Sequence, residues 1–416
     1  VLFRSIEEVR ILTKINYRKD QIPIMNYECG TMAVPAVPGA GKTFIVTNLV
    51  AKLLEENKNE KGKILILTYM NSAANNFKGR IKKILEEKGI ESTNGFEVMT
   101  IHSLAAKIIK EKPEAMMLSE DFNIADDFQK TMMLNDCINT FRASGGETAF
   151  RFFLKEQKNQ MWYDIQLEAW ENGFFELVSK SISNLKYNDI SPQSLEANTL
   201  SNKGILKIIS FIYTEYDKRL KQNGLLDYDD LLIYAYKTLC SDDKLKEKFQ
   251  NRYRYVFEDE CQDSNEIQGK IIKLICEEHN NLVRVGDVNQ SITGTFSSSD
   301  PKFFKEFMKE ADYCYEMNMS NRSSADILEL ANNLVQFVCS DLSQIECRDA
   351  LQEIEIKTVE KGQGYKENPE PDKYQINALW YRTFEDEVNK TVKFVKGLKA
   401  KYPNKSIGRS EERRVG

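Results

Sequence analysis

The residues best suited to chemistry lie in a short glycine-containing segment, residues 36–43, with the sequence AVPGAGKT. It fits the pattern GxxxxGK[ST] except at Ala36. Small residues let backbone N–H groups wrap a phosphate, and glycines adopt the positive φ angles that such a loop needs. The Lys42 ammonium would reach the β- and γ-phosphates, and the Thr43 hydroxyl would hold Mg²⁺. The segment predicts a triphosphate-binding loop, with an accidental glycine-rich turn as the alternative; its members are Pro38, Gly39, Ala40, Gly41, Lys42 and Thr43.

A pair of carboxylates supplies the second half of such a site. An apolar run ends in Asp259 and Glu260, so that Asp259 would join the metal shell and Glu260 would be the base that activates water. An exposed acidic turn is the common alternative. The polar segments 261–263 and 286–290, which follow successive apolar runs, favour the catalytic interpretation.

The elements that must position these residues alternate between strands and helices. Apolar runs predict strands at 31–37, 63–68, 98–101, 253–257 and 282–285, and helical periodicity predicts helices at 44–56, 72–88, 325–339 and 386–399. This alternation predicts an α/β fold with a doubly wound parallel sheet. Long helical patterns with few strand signals interrupt the series and predict an inserted helical subdomain.

The domain prediction follows from these changes of pattern. Residues 6–108 and 219–305 form the two parts of one nucleotide-binding domain, residues 109–218 form the helical insertion, and residues 306–408 begin a second α/β domain. The terminal segments 1–5 and 409–416 back-translate to nucleotide stretches that are reverse complements of each other, as sequencing adapters are. We therefore expect them to be scars around an internal piece of a reading frame, with a natural charged tail as the alternative.

Composition excludes several classes of protein. The 416 residues carry a net charge of −5, so no global positive field indicates a nucleic-acid partner and any such binding must be local. Eight cysteines without a CxxC pair, and only two histidines, argue against a zinc or iron–sulfur site and predict reduced thiols in a cytoplasmic protein. The apolar runs are far shorter than the about 20 residues of a membrane-spanning helix.

Taken in order, the motifs resemble those of the superfamily 1 DNA helicases of the UvrD/Rep type. Gln21 stands upstream of the glycine-containing loop, as does that family's adenine-reading glutamine. The other matching segments are 68–74 (TYMNSAA), 100–103 (TIHS), 226–231 (LDYDDL), 258–263 (EDECQD), 286–292 (GDVNQSI) and 320–323 (SNRS). The resemblance implies a RecA-like fold, ATP and Mg²⁺ as cofactors, and single-stranded and partially duplex DNA as partners.

The resemblance also implies roles for individual residues. Gln290 would sense the γ-phosphate and couple it to the DNA site, and Arg322 would act as an arginine finger, so that they complete a catalytic set with Lys42 and Glu260. The residues implied to contact DNA are Thr68, Tyr69, Asn71, His102, Ser103 and Phe296. Core packing remains an alternative for Tyr69, and plain hydrogen bonding for His102. A basic strip, Lys78, Arg80, Lys82 and Lys83, would either meet phosphates or form a solvated helix face.

Some positions depart from the family pattern. Asn321 replaces the tyrosine that precedes the finger arginine, and Phe44 replaces the arginine after the GKT, so Phe44 is expected to take over adenine stacking. After residue 292 the family's aromatic and Trp-Arg pair are replaced by residues 293–296 (TGTF). No HxxKG-like segment and no later finger arginine follow position 325. We therefore expect an incomplete fragment that binds Mg-ATP weakly and does not unwind DNA.

The function expected of the parent protein is ATP-driven translocation on single-stranded DNA and duplex separation, with the family's 3′ to 5′ polarity. An ATPase subunit of a helicase–nuclease, and a nucleotide-dependent binding switch without translocation, are the alternatives.

Overall fold

The structure is a computed structural model that describes residues 16–56, 58, 62–90, 94–116, 118, 122–156, 159–199, 204–291, 301–371, 376 and 379–407. The strands are β1 (Thr31–Pro35), β2 (Lys63–Thr68), β3 (Phe96–Thr100), β4 (Asn123–Ile124), β5 (Leu225–Leu226), β6 (Tyr253–Asp259), β7 (Leu282–Gly286), β8 (Tyr313–Cys314), β9 (Met319–Ser320) and β10 (Lys357–Thr358). The helices are α1 (Ile22–Met25), α2 (Lys42–Glu55), α3 (Asn71–Glu87), α4 (Ile101–Glu111), α5 (Asp127–Phe141), α6 (Glu147–Arg151), α7 (Gln160–Tyr187), α8 (Pro192–Thr199), α9 (Ile205–Gln222), α10 (Tyr228–Ser241), α11 (Asp243–Arg252), α12 (Glu266–Cys276), α13 (Pro301–Glu310), α14 (Ala325–Gln336) and α15 (Phe384–Lys401).

A parallel sheet forms the centre of the fold. Among the described residues it has six strands in the order β3-β2-β6-β7-β1-β8, and all its neighbouring pairs are parallel. The predicted α/β class with a doubly wound parallel sheet is therefore confirmed. None of the helices in the described part of the chain combines the length and apolar character that crossing a bilayer requires.

Both faces of the sheet are covered because side chains alternate along each strand. In β2, Ile64 and Ile66 join one apolar core with α2 and α3. Leu65 and Leu67 join a second core with α4, α10 and α12 on the opposite face. Each such fully buried aliphatic side chain stabilises the fold by about 1.5–3 kcal/mol. This two-sided burial explains why β2 is an unbroken apolar run in the sequence.

The helical insertion has a core of its own. Helices α5 to α9 pack around a third apolar cluster that includes Phe150, Phe174 and Tyr216. The short strands β4 and β5 pair where the chain enters and leaves this unit. The boundaries predicted at 109 and 218 fall inside α4 and α9, because α4 continues to pack on the sheet and α9 belongs to the third core along its whole length.

The first α/β unit also extends further than the boundary predicted at 306, which falls inside α13. Phe304 of α13 lies in the core with β1, and β8 extends the sheet by pairing with β1. The chain then forms a smaller element in which β9 pairs with β10 beside α14. Residues 370–416 form a separate unit, whose described part contains α15.

Candidate functional site

The carboxyl ends of the parallel strands bring the predicted site segments to one edge of the sheet. At this edge β1 leads into residues 36–41, here called the phosphate loop, and β6 leads into residues 259–264, here called the acidic loop. Strands β2 and β3 lead into the segments at 68–71 and 100–103. The strand order places the phosphate loop and these two segments towards opposite ends of the edge, with the acidic loop between them.

The phosphate loop has the conformation that its glycines allow. Gly39 and Gly41 have φ of 78° and 86°, in the left-handed region. Gly41 directly precedes α2 and offers no side chain to cap it, so the first amides of α2 face the loop without a side-chain partner at the N-cap. Such amides and the helix dipole favour an anion. Thr43 lies half-buried in the first turn of α2.

Lys42 connects the phosphate loop to the acidic loop. Its Nζ lies 2.5 Å from Glu260 Oε2, although the two residues are 218 positions apart in the chain. Gln262 Nε2 donates to the same Glu260 oxygen at 2.9 Å, and Gln262 Oε1 accepts from the Asp287 amide at 2.9 Å. These bonds join the loops that follow β1, β6 and β7.

The electrostatic environment separates the two acids of the acidic loop. Burial alone would raise the pKa of the Glu260 carboxyl, but the positive charge of Lys42, the bonds from Gln262 and Lys42, and the charge of Arg322 lower it below its ordinary value. Burial first, and then the charge of Glu260, raise the pKa of Asp259 to about 7. Glu260 is therefore the more readily ionised member of the pair.

The environment of Asp259 fits a bound cation. Within the described residues, the buried Asp259 Oδ1 has no hydrogen-bond partner, and neither has Oδ2 of nearby Asp287, whose pKa burial also raises. Buried carboxylate oxygens without partners are costly, and a cation would satisfy them. In the same part of the chain no cluster of three or more His, Cys, Asp or Glu side chains is arranged to hold a metal alone. Mg²⁺ is held by one or two carboxylates together with substrate phosphates, and Asp259 and Asp287 offer two carboxylates here.

The residues at the outer end of the phosphate loop form a small polar and aromatic cluster. Gln21 is only 3% exposed; its Nε2 donates to the Ala40 carbonyl at 3.4 Å, and its Oε1 accepts from the Arg18 amide at 3.2 Å. The Arg18 guanidinium donates to the same Ala40 carbonyl. Phe44 is 39% exposed, and its ring centroid lies 6.1 Å from that of Tyr17. Sequence reasoning missed Arg18 and Tyr17; their position just before Gln21 was the available signal.

Arg322 lies against the phosphate loop. A Cβ placed on Gly39 would be 2.5 Å from Arg322 Cβ and 2.6 Å from Ser320 Oγ. Ser320 Oγ also donates to the Pro38 carbonyl at 2.6 Å. Segment 320–322 therefore packs on the loop at a place where only glycine fits. Ser320, which is fully buried, is a loop contact that sequence reasoning did not assign.

Gln290 lies at the same edge, but with an exposed side chain. Its amide donates to the Asp287 carbonyl at 3.0 Å. The neighbouring Asn289 makes the stronger connection, since its side-chain amide exchanges two hydrogen bonds of 2.8 Å with the backbone of Gln352. The predicted contact residue Phe296 lies outside the described residues.

At the other end of the edge, the segments predicted to contact DNA are partly accessible. Tyr69 is 46% exposed, which excludes the core-packing alternative, while Thr68 beneath it is buried. Asn71 begins α3 with an exposed side chain. Burial raises the pKa of Tyr69, and the charges of Asp263 and Asp127 raise it further.

His102 and Ser103 have partners within the protein. The His102 ring packs edge-on against Tyr228 with centroids 5.0 Å apart, and burial lowers its pKa despite nearby acids, so the ring is neutral. The Ser103 amide donates to Thr100 Oγ1 at 3.2 Å, which caps α4. His102 thus packs as a neutral aromatic ring rather than offering a charge to phosphate.

The basic strip on α3 is mostly solvated. Lys78, Arg80 and Lys83 are exposed, Lys82 is half-buried, and Lys83 lies 3.8 Å from Glu87 one turn later. This arrangement favours the solvated-face interpretation over a dedicated phosphate-binding strip.

Comparison with known proteins places these observations in a family. Residues 17–312 match the family described as UvrD/REP helicase N-terminal domain. A probable DNA helicase II homolog of Mycoplasma pneumoniae is 27% identical over 335 residues, which is 78% of this chain and 42% of the relative. The ATP-dependent DNA helicase PcrA of Staphylococcus epidermidis is 25% identical over 77% of this chain and 40% of its own length. The ATP-dependent DNA helicase Rep of Buchnera aphidicola is 28% identical over 77% of this chain and 43% of its own length. The chain spans about two fifths of the length of these relatives.

Proposed function

The chain belongs to the UvrD/REP helicase family, and from that premise we propose that it is the ATP-hydrolysing part of a DNA helicase that moves 3′ to 5′ on single-stranded DNA. Its partners would be single-stranded and partially duplex DNA, and its location cytoplasmic. The observation that carries the proposal is the meeting of Lys42, Glu260 and Arg322 where the phosphate loop and the acidic loop come together. Strand separation belongs to the longer protein and is not expected of the 416 residues alone.

Each residue where the phosphate loop and the acidic loop meet would have a distinct role in hydrolysis. On nucleotide entry, Lys42 would exchange its contact with Glu260 for the β- and γ-phosphate oxygens, while the amides of residues 39–43 hold the phosphate chain. Gln262 would keep Glu260 in place, so that its ionised carboxylate accepts the proton of the attacking water. Mg²⁺, when bound, would neutralise charge on the phosphate oxygens, with Thr43 and Asp259 as its protein ligands.

Two residues would link hydrolysis to the rest of the protein. Arg322 would stabilise the charge that develops on the transferred phosphoryl group, because its segment already packs on Gly39. Gln290 would respond to the γ-phosphate from the loop after β7. At the outer end, Gln21 and Phe44 would contact the adenine. At the far end of the sheet edge, exposed Tyr69 would stack on a base of the strand.

The test compares Glu260→Gln with Glu266→Gln, a matched change at an exposed position of α12. We expect Glu260→Gln to retain binding of a fluorescent ATP analogue and to lose about 10²–10⁴-fold in ATP turnover, the usual contribution of a general base. The control should change neither quantity. Undiminished turnover in Glu260→Gln would show that another group activates the water.

Single-stranded DNA separates the motor from the alternatives. A translocase requires hydrolysis to depend on the strand, so we expect a single-stranded oligonucleotide to stimulate ATP turnover. A Tyr69→Ala variant should need a higher oligonucleotide concentration for the same stimulation. ATP turnover that does not respond to DNA would favour the nucleotide-dependent switch instead.

A further inference from the structure

A buried ion pair lies next to the acidic loop and has no part in the chemistry proposed above. Glu258 of β6 and Arg284 of β7 are neighbours across the two strands. Arg284 Nε lies 2.7 Å from Glu258 Oε2, an ion contact that among the described residues is not aligned as a hydrogen bond, and the two side chains are only 12% and 5% exposed. Withdrawing two charges from water costs much of what their attraction returns, so such a pair stabilises a fold little more than apolar side chains would. A buried charge in each of two central strands calls for another role.

The other oxygen of Glu258 reaches the acidic loop. Ser264 Oγ donates to Glu258 Oε1, and Ser264 is the last residue of that loop. Arg284 is itself held by surrounding elements, because its guanidinium lies 4.8 Å from the Phe307 ring centroid of α13. A Cβ on Gly269 of α12 would lie 3.5 Å from its Nη2. Arg284, Glu258 and Ser264 therefore form a chain of contacts from the neighbouring helices to the end of the acidic loop.

The acidic loop needs such support because of its backbone. Glu260 adopts φ of 55° and ψ of 40°, a left-handed conformation that costs a residue with a Cβ energy and persists only when its surroundings hold it. Strand β6 holds the start of the loop. Gln262 holds its middle, and Ser264 adds a contact at its end.

We propose that Arg284 is a positioning residue for hydrolysis: it orients Glu258, which holds Ser264, and thereby keeps Glu260 in the geometry that faces Lys42. This inference rests on the proposed function, because the position of Glu260 matters for hydrolysis only if Glu260 acts on the attacking water. The experiment therefore measures the opening of the acidic loop without nucleotide first, and then the rate of ATP turnover.

The loop contains its own reporter. Cys261 is 3% exposed, so a thiol reagent reaches it only when the loop opens. Alkylation of the 416-residue chain by N-ethylmaleimide, located by peptide mass spectrometry, measures that opening. Cys137, buried in the core of the helical insertion, is the internal reference.

Two variants remove the support without leaving a charge buried alone. Ser264→Ala deletes the contact with the loop, and Glu258→Val/Arg284→Val replaces the ion pair by apolar side chains that the neighbouring strands tolerate. The double variant Glu266→Gln/Lys270→Gln removes an exposed ion pair of 2.7 Å on α12 and serves as the control. Arg284→Val alone is avoided because it would leave the buried Glu258 carboxylate without a positive charge beside it.

We expect Cys261 to be alkylated at least tenfold faster in both support variants, with Cys137 and the control variant unchanged. We also expect at least a tenfold fall in kcat for ATP, with KM and affinity for the fluorescent analogue within about twofold. Unchanged alkylation of Cys261 would overturn the proposal, and so would faster alkylation with an unchanged kcat. If the wild type hydrolyses no ATP, the proposed function fails; the positioning role for hydrolysis then fails with it, and faster alkylation would show only that these residues hold the loop.

Discussion

Replacing Gly39 by alanine probes the contact between the phosphate loop and Arg322 most directly. At φ of 78°, an alanine would carry a strain of about 1–2 kcal/mol. Its Cβ would also stand 2.5 Å from Arg322 Cβ and 2.6 Å from Ser320 Oγ, whereas carbon atoms need roughly 3.5–4.0 Å. Since Arg322 Cβ is fixed to the backbone, segment 320–322 must move by about 1 Å. That movement would break the bond from Ser320 to Pro38, at a net cost of about 0.5–1.5 kcal/mol.

Gly89→Ala is the matched control for this change. Gly89 has φ of 69°, but a Cβ there meets no atom of the described residues within 4 Å, so the substitution carries the same backbone strain without the collision. We expect about 1–2 kcal/mol of destabilisation for Gly89→Ala. For Gly39→Ala we expect about 2–4 kcal/mol, by adding the lost hydrogen bond and the displaced contacts.

Two assays separate the contributions. Thermal denaturation compares the two variants, and hydrogen exchange of the peptides that contain residues 36–44 and 319–323 reports the local contact. Gly39→Ala should accelerate exchange in both peptides and weaken binding of a fluorescent ATP analogue at least tenfold, while Gly89→Ala should do neither. Equal melting temperatures and equal exchange in the two variants would refute the close packing of Arg322 on the loop.

Other predictions concern pH, DNA and the helical insertion. Burial raises the pKa of Asp259 to about 7 in the folded protein, so the protonated carboxyl stabilises the fold fully at pH values below its pKa in the unfolded chain. This contribution to the free energy of unfolding is lost as the pH rises through 7. Asp259→Asn should therefore raise the melting temperature more at about pH 8 than at about pH 5 in the absence of nucleotide. Tyr69→Ala should weaken single-stranded DNA binding by about 1–3 kcal/mol in a fluorescence titration. Tyr313→Ala should not, because Tyr313 is similarly exposed but lies in β8, at the far end of the strand order from β2. Lys186→Met removes the ammonium that lies 2.7 Å from the buried Asp227 carboxylate, so the free energy of unfolding measured with denaturant should fall by about 3–5 kcal/mol. A fall of less than about 1 kcal/mol would contradict the burial of that pair.

The central strands could be predicted from the sequence because they are buried on both faces. The run at 63–68 coincides with β2, and the predicted helix at 72–88 lies within one residue of α3. Strand β8 gave no such signal, since it is two residues long, exposed, and defined only by its pairing with β1. The boundaries predicted at 109 and 218 fall inside helices for a related reason: helical periodicity continues through α4 and α9 whichever core they face.

The candidate site shows the same division between local and tertiary information. The phosphate loop and the acidic pair carry local signals, because their chemistry needs particular residue types at fixed spacing. The sequence predicts that Lys42 and Glu260 share a site, but their direct contact depends on which strands are neighbours. The burial of Ser320 and the pair formed by Glu258 and Arg284 depend on it as well. Strand order is a property of the whole chain, so no local pattern could have supplied these contacts.

Strand order also bears on how hydrolysis could reach DNA. Three neighbour steps separate β1 from β2, or roughly 14 Å at about 4.8 Å per step. The acidic loop, which follows β6 next to β2, covers part of this distance: Glu260 at its start faces Lys42, and the charge of Asp263 near its end acts on Tyr69. A shift of this one loop would therefore change the surroundings of both Lys42 and the exposed Tyr69 ring. The support that Arg284 gives to the end of the loop would then set how far such a shift travels, so the alkylation of Cys261 with and without single-stranded DNA measures the coupling directly.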